Sequence, residues 1–289
     1  MYFSGVAFPV PNVIGIGYER RRSNEQGADA AVAWDPATYL RFSDERLRPG
    51  FDLLARVGDL PPGPLAELGC GTGVHARVIG ERWPGRAFTA IDSSPEMLTQ
   101  ASATPSSIRW VEADLRSWKP PEKVALVFSN AVLQWVDQHE VLFPRMMGML
   151  APGGVLAVQM PRNFDAPSHV LMREAAQAGP WAAILKPLLR ADPVAGPEVT
   201  YDRLAPLAQG GLDIWETEYL HVLSGEDAVL TWMHGTALRP LLTALQGSER
   251  AEFERACAER LRRAYPRRAD GHTLLPFRRI FIVARAKAN

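Results

Sequence analysis

The chain has 289 residues, with 32 Lys plus Arg balanced by 32 Asp plus Glu, so its net charge is near zero. That length suits one larger α/β domain with a cap, and balanced charge argues against a general nucleic-acid binder, which carries a basic excess. No apolar run reaches the ~18 residues of a membrane span, so neither nucleic acid nor membrane is an expected partner. Cys70 and Cys257 are far apart and fit a reducing cytoplasm, and the six histidines lack ligand spacing, so no metal is expected.

Residues 1–30 read as a poorly ordered extension. Their apolar start is interrupted by Pro9, Pro11, Gly5 and Gly15, and Arg20–Arg22 follow it, the wrong order for a secretory signal. Trp34–Pro49 is expected to be a helix. Two readings of it stand side by side: Tyr39 and Arg46 close a ligand site, or Tyr39, Leu40 and Phe42 simply pack on the domain.

From Pro64 to Met160, short apolar runs alternate with helical spacing. The strands are expected at Leu65–Leu68, Ala87–Ile91, Ile108–Glu112, Val124–Ser129 and Val155–Met160, and the helices at Val74–Trp83, Pro95–Ser102 and Gln138–Leu150. This βα alternation implies a doubly wound α/β fold on a mostly parallel sheet. Beyond Met160 the rhythm changes. Ser168–Ala178, Pro180–Leu189, Asp227–Leu245 and Ser248–Ala264 read as helices, Ala191–Pro206 is a Pro- and Asp-rich stretch with no helix or strand assigned, and Ile214–Leu223 and Pro276–Ala284 read as two last strands, seven in all. The division is then 1–30 extension, 31–160 core with its covering helix, and 161–289 helical lid plus the last strands.

Leu65–Gly73 reads LAELGCGTG, a strand followed by glycines before a helix. Gly69, Gly71 and Gly73 allow a tight turn and close approach of a ligand to the backbone. Glu67 stands where dinucleotide folds usually place an apolar residue. Asp92 ends the second strand, where a carboxylate can accept both ribose hydroxyls, with Ser93 beside it. Asp114 ends the third. Each has a plainer alternative: Glu67 as a strand-end carboxylate bonded to backbone, Asp92 as the cap of the helix at Pro95. Cys70 has no activating base adjacent and is expected to be a buried filler.

The stretches ELGCGTG, IDSSPEML, VEADLRSW, SNAVLQWV and LAPGGVLAVQMP resemble the class I S-adenosylmethionine-dependent methyltransferases. The resemblance implies S-adenosylmethionine as cofactor, with Gly69, Gly71 and Gly73 along its methionine part, Asp92 on the ribose, Asp114 and Leu115 beside adenine, and Asn130 at the amino-acid end. Gln134 and Trp135 would face the substrate, and Arg46 could pair with the methionine carboxylate. Segments outside these motifs, among them WDPATYLRFSDERLRP, QMPRNFDAPSH, WMHGTALRPLL and ADGHTLLPFRRIFIVA, are similar to the trans-aconitate methyltransferases. This implies methyl transfer to one carboxylate of a small polycarboxylic acid by a monomer or small homo-oligomer.

A carboxylate is ionised at neutral pH, so its methylation needs no general base. A polyanion does need cationic or polar donors, and His169, His221, Arg239 and Arg278 are the candidates from the lid and the last strands. Arg239 could instead pair with Glu226 or Asp227. Arg278 and Arg279 are neighbours on one strand and point to opposite faces. Three rival readings remain open: a methyltransferase of malonyl-carrier protein, which would use Arg260, Arg262, Arg263, Arg267 and Arg268 as a docking patch; a nicotinamide-dependent oxidoreductase; and a cofactor-binding subunit without catalysis.

Overall fold

A computed structural model describes residues 46–190 and 192–288. Residues 1–45, and with them Tyr39 and most of the expected covering helix, lie outside the described residues. The described residues begin with α1 (Arg48–Arg56), followed by β1 (Leu65–Leu68), α2 (Val74–Arg82), β2 (Phe88–Asp92), α3 (Pro95–Ser102), β3 (Arg109–Glu112), β4 (Val124–Asn130), α4 (His139–Met147) and β5 (Leu150–Pro161). Then come α5 (Pro167–Ala178), α6 (Ala182–Leu185), α7 (Pro197–Leu204), β6 (Gly211–Ser224), α8 (Ala228–His234), α9 (Arg239–Ala244), α10 (Gly247–Ala264) and β7 (His272–Arg285).

The described strands form one seven-stranded sheet in the order β3-β2-β1-β4-β5-β7-β6. β3 through β5 pair in parallel, and β7 runs antiparallel to both β5 and β6. β1 and β4 are nearly continuous apolar runs because, at the centre of a parallel sheet, both faces are covered. On one face Leu65, Phe88, Phe128, Ala157 and Phe281 pack against Phe51, Leu53 and Leu54 of α1 and Ala76, Val78 and Ile79 of α2. Each such fully buried side chain contributes about 1.5–3 kcal/mol. On the other face Leu68, Val127, Leu156, Ile280 and Ile282 pack against Phe143 and Met146 of α4 and Leu204 of α7. The lid has its own core, built from α5, α6, α8, α9 and α10 around Trp181, Phe253 and Leu275.

The structure departs from the expected elements in two places. Ala191–Pro206 contains α7, whose Pro197 sits in the first turn, where a missing N–H costs nothing. Asp227–Leu245 is two helices, because the chain turns at Gly235 and Pro240 starts α9 afresh. The first described helix, α1, carries its proline, Pro49, in the first turn. Gly50 lets α1 approach α2 closely: a Cβ there would lie 2.2 Å from Nε2 of His75.

Candidate active site

The strands of the parallel half all end at the same edge, and the glycine loop after β1 is built there by backbone geometry. Gly69, Gly71 and Gly73 have φ of +74°, +53° and +75°, the left-handed region that favours glycine. Packing makes two of them irreplaceable. A Cβ on Gly69 would lie 2.3 Å from a methyl of Val132, and one on Gly73 2.5 Å from the ring of Trp110. Gly71 differs, because a Cβ there would meet nothing within 4 Å. The open space beside the loop therefore lies at Gly71.

Asp92 holds this loop. Its Oδ2 accepts the N–H of Gly71 at 2.8 Å and its Oδ1 that of Ser94 at 2.9 Å. The cap of α3 is Ser94, whose hydroxyl accepts from Met97, so the capping alternative for Asp92 does not hold. Ser93 is exposed. Glu67 is 1% exposed, and its Oε2 has no hydrogen-bond partner among the described residues. Burial first, and the Asp92 carboxylate second, push the Glu67 carboxyl well above its ordinary range. The alternative of Glu67 as a carboxylate satisfied by backbone thus leaves one oxygen unexplained. Asn130 ends β4 with its Oδ1 likewise unpartnered, next to Ala131 at φ 56°. These orphaned oxygens suit a cationic ligand carrying an ammonium and a sulfonium, so the residues present fit S-adenosylmethionine. Cys70 is buried, and burial raises its thiol far above the ordinary value, as expected of a filler.

Asp114 is partly exposed just past β3. Its carboxylate is clamped by the exposed Arg116 guanidinium, which holds it down to about 2. Leu115 is partly buried against the sheet.

Between the strand edge and the lid lies a cleft. It is lined by Gln134, Trp135, Asn163, His169, Arg190 and Phe277, among others. Gln134 donates to the carbonyl of Ala131 at 2.7 Å and keeps Oε1 without a partner among the described residues, while Trp135 is 52% exposed. His169 is buried against Phe164 and bonded to Ser168, and burial holds it down to about 4, neutral at physiological pH. Arg190 and Asn163 escaped the sequence reading. Arg190 donates to the carbonyl of Gln134 at 2.7 Å and pairs with Asp137, while Asn163 is 2% exposed and neither of its amide atoms has a partner among the described residues.

Other expected residues fall elsewhere. Arg46 stacks over Trp232 of the lid, 4.7 Å from the ring centroid. His221 lies between Trp232 and Phe277 and does not line this cleft. Arg239, at the start of α9, is exposed and outside the lining, and it does not take Asp227, which pairs with Arg262 at 2.7 Å. Arg278 pairs with Asp165 at 3.7 Å, whereas Arg279 is the buried one of the two, 5% exposed. No group of His, Cys, Asp or Glu among the described residues could hold a metal.

A sheet of order 3-2-1-4-5-7-6 with an antiparallel β7, a glycine loop after β1 and a carboxylate after β2 defines the class I methyltransferase fold. A family model described as "Methyltransferase domain" matches residues 65–154. The trans-aconitate 2-methyltransferase of Sinorhizobium fredii is 45% identical over 254 residues, covering 88% of this chain and 98% of that protein. Those of Streptomyces avermitilis and Streptomyces coelicolor are 46% and 48% identical over 267 residues, covering 90% and 88% of this chain and 99% and 87% of theirs. The chain belongs to the trans-aconitate 2-methyltransferase family of S-adenosylmethionine-dependent methyltransferases.

Proposed function

We propose that the protein methylates one carboxylate of a small polycarboxylic acid, trans-aconitate foremost, to give the monomethyl ester. The observation that carries this reading is the extent of the likeness: 45% identity runs over 98% of a trans-aconitate 2-methyltransferase, well beyond the methyltransferase domain and through the lid. The protein works on a small molecule rather than nucleic acid or membrane, as a monomer or small homo-oligomer in the cytoplasm. Among the described residues no helix is long and apolar enough to cross a membrane.

The cofactor supplies an electrophilic methyl group on a sulfonium. The chain's part is to hold, orient and exclude water. Asp92 shapes the loop and offers its remaining lone pairs to ribose hydroxyls; Glu67 and Asn130 present oxygens to the cationic end. Asp114 and Leu115 flank the adenine side, with the Asp114 carboxylate kept ionised by Arg116. No base is required, since the attacking oxygen belongs to a carboxylate, and the neutral His169 offers the substrate a hydrogen bond rather than a charge. Alignment of this kind contributes roughly 7–11 kcal/mol. The test is a labelled-methyl assay over mono-, di- and tricarboxylates. Preference for trans-aconitate with a monoester product is expected, and absence of any ester from the tricarboxylates overturns the reading.

A further inference from the structure

The α1 face of the sheet carries a row of buried or partly buried polar side chains along its carboxyl edge: Asp92 on β2, Glu67 on β1, Asn130 on β4, Gln159 on β5 and Arg279 on β7. Each falls in phase with an apolar residue of the same core, such as Phe88, Leu65, Phe128, Ala157 and Phe281. The row past Asn130 belongs to no assigned role. Gln159 is 0% exposed, and neither of its amide atoms has a hydrogen-bond partner among the described residues. In register, Gln159 faces Phe281 and Pro161 faces Arg279, so Gln159 and Arg279 are diagonal neighbours, a separation that long side chains bridge.

Arg279 is the anomaly. Its guanidinium lies over the Phe277 ring, 4.6 Å from the centroid, with Tyr219 at 5.9 Å, and its Nε has no partner among the described residues. No described carboxylate pairs with it. Asp52 accepts instead from the Tyr219 hydroxyl at 2.6 Å and pairs with Arg48 at 3.6 Å. A buried cation without a counter-charge is strongly unfavourable. Burial draws the guanidinium down to about 10, so it still carries its charge at neutral pH. Phe277, whose ring the Arg279 guanidinium overlies, also lines the cleft beneath the lid. Three strand spacings separate β7 from the glycine loop on β1, about 14 Å. That distance puts Arg279 on the acceptor's side, away from the loop.

We propose that Arg279, with the Gln159 amide beside it, is the anion subsite that takes a non-reacting carboxylate of the polyanionic substrate. This rests on the polycarboxylate reading above and adds to it the residue that selects for a second charge. The buried Phe277 and Tyr219 rings hold the fork rigid and dry, the conditions under which an Arg–carboxylate pair is strongest.

The test compares wild type with Arg279→Met and Arg279→Lys. Three measurements are made: kinetics with trans-aconitate and a monocarboxylate, calorimetric affinity for S-adenosylhomocysteine, and melting temperature with and without trans-aconitate. Arg279→Met should lower kcat/KM for trans-aconitate about 100-fold or more, act chiefly on KM, and leave S-adenosylhomocysteine affinity unchanged. Without substrate it should melt no lower than wild type, because methionine removes a buried charge that has no carboxylate partner among the described residues. Arg279→Lys should recover only part of the activity. A structural role would instead lower the melting temperature and depress all substrates alike. If wild type methylates trans-aconitate and Arg279→Met does so with unaltered KM, the subsite is wrong and the function stands. If wild type makes no ester yet trans-aconitate raises its melting temperature and not that of Arg279→Met, the subsite stands and the function falls. If trans-aconitate neither reacts with nor stabilises the wild type, both fall.

Discussion

Replacing Gly71 by alanine separates the architecture of the loop from its ligand. The residue has φ +53°, and a Cβ there meets nothing within 4 Å. The folding cost is then the left-handed conformation alone, about 1–2 kcal/mol. Gly73→Ala carries that strain plus a Cβ 2.5 Å from the Trp110 ring, and Gly69→Ala a Cβ 2.3 Å from Val132. Overpacking adds about 1–3 kcal/mol to each. By stability, Gly71→Ala is the mildest of the three. By cofactor affinity it should be severe, because the vacant volume at Gly71 is the volume assigned to the methionine part. A methyl intruding there costs about 1–3 kcal/mol of binding, some 5- to 150-fold in Kd.

Gly85 supplies the control. It too has a positive φ, +77°, with open space at its Cβ, but it lies between α2 and β2, at the far end of the strands. Gly85→Ala should show the same loss of stability and no loss of affinity. The assay is thermal denaturation without ligand followed by calorimetric titration with S-adenosylhomocysteine. Equal affinities for the two variants would refute the placement of the cofactor beside Gly71.

Asp92→Asn leaves one of two backbone N–H groups, of Gly71 or Ser94, facing an amide instead of a carboxylate; with the ribose acceptor also weakened, S-adenosylhomocysteine affinity should fall at least about 10-fold, and calorimetry showing no change would count against it. Tyr219→Phe removes the hydroxyl that donates to Asp52 at 2.6 Å, costing about 1.5 kcal/mol, read as a melting temperature lower by a few degrees; no drop would mean the bond is not formed in solution. His75 and His169 are both held down to about 4 from 6.5, chiefly by burial. The unfolded chain therefore binds protons first, and their contribution to stability is complete above pH 6.5 and lost as pH falls toward 4. A melting profile flat over that window, or one unaltered in the His75→Gln, His169→Gln double variant, contradicts this.

The elements legible in the sequence are those whose pattern is local. β1 at Leu65–Leu68 and α3 at Pro95–Ser102 have the expected bounds. The first is an apolar run ended by glycines; the second opens on Ser94-Pro95, with a cap and a proline in the first turn. α7 was missed because Pro197 reads as a breaker when its helix is short and mostly polar. In the site, the motif positions Glu67, Asp92 and Asn130 reach one edge because each ends a parallel strand, a rule that needs only strand assignment. What did not follow was which partner a side chain takes. Asp114 has its Arg116 two residues away, yet nothing in the spacing says that the guanidinium folds back. Arg190 reaches Gln134 and Asp137 across more than fifty residues.

The pair Arg278 and Arg279 shows most sharply where local pattern ends. Alternation along β7 requires them to face opposite ways. The choice of face is a different matter, and hydrophobicity decides it only when one face is apolar and the other wet. β7 is covered on both faces: Phe277 and Phe281 are buried with α1 and the lid, Ile280 and Ile282 with α4 and α7. Both phases of the strand are apolar, so neither is marked. The parity of Arg279 comes instead from its register opposite Pro161 of β5 and Thr217 of β6, partners more than a hundred and about sixty residues away. A strand buried on both sides thus conceals the orientation of any charge within it. Such a strand is also where a charge is most costly to keep, which is why a buried guanidinium there points to a ligand rather than to the fold.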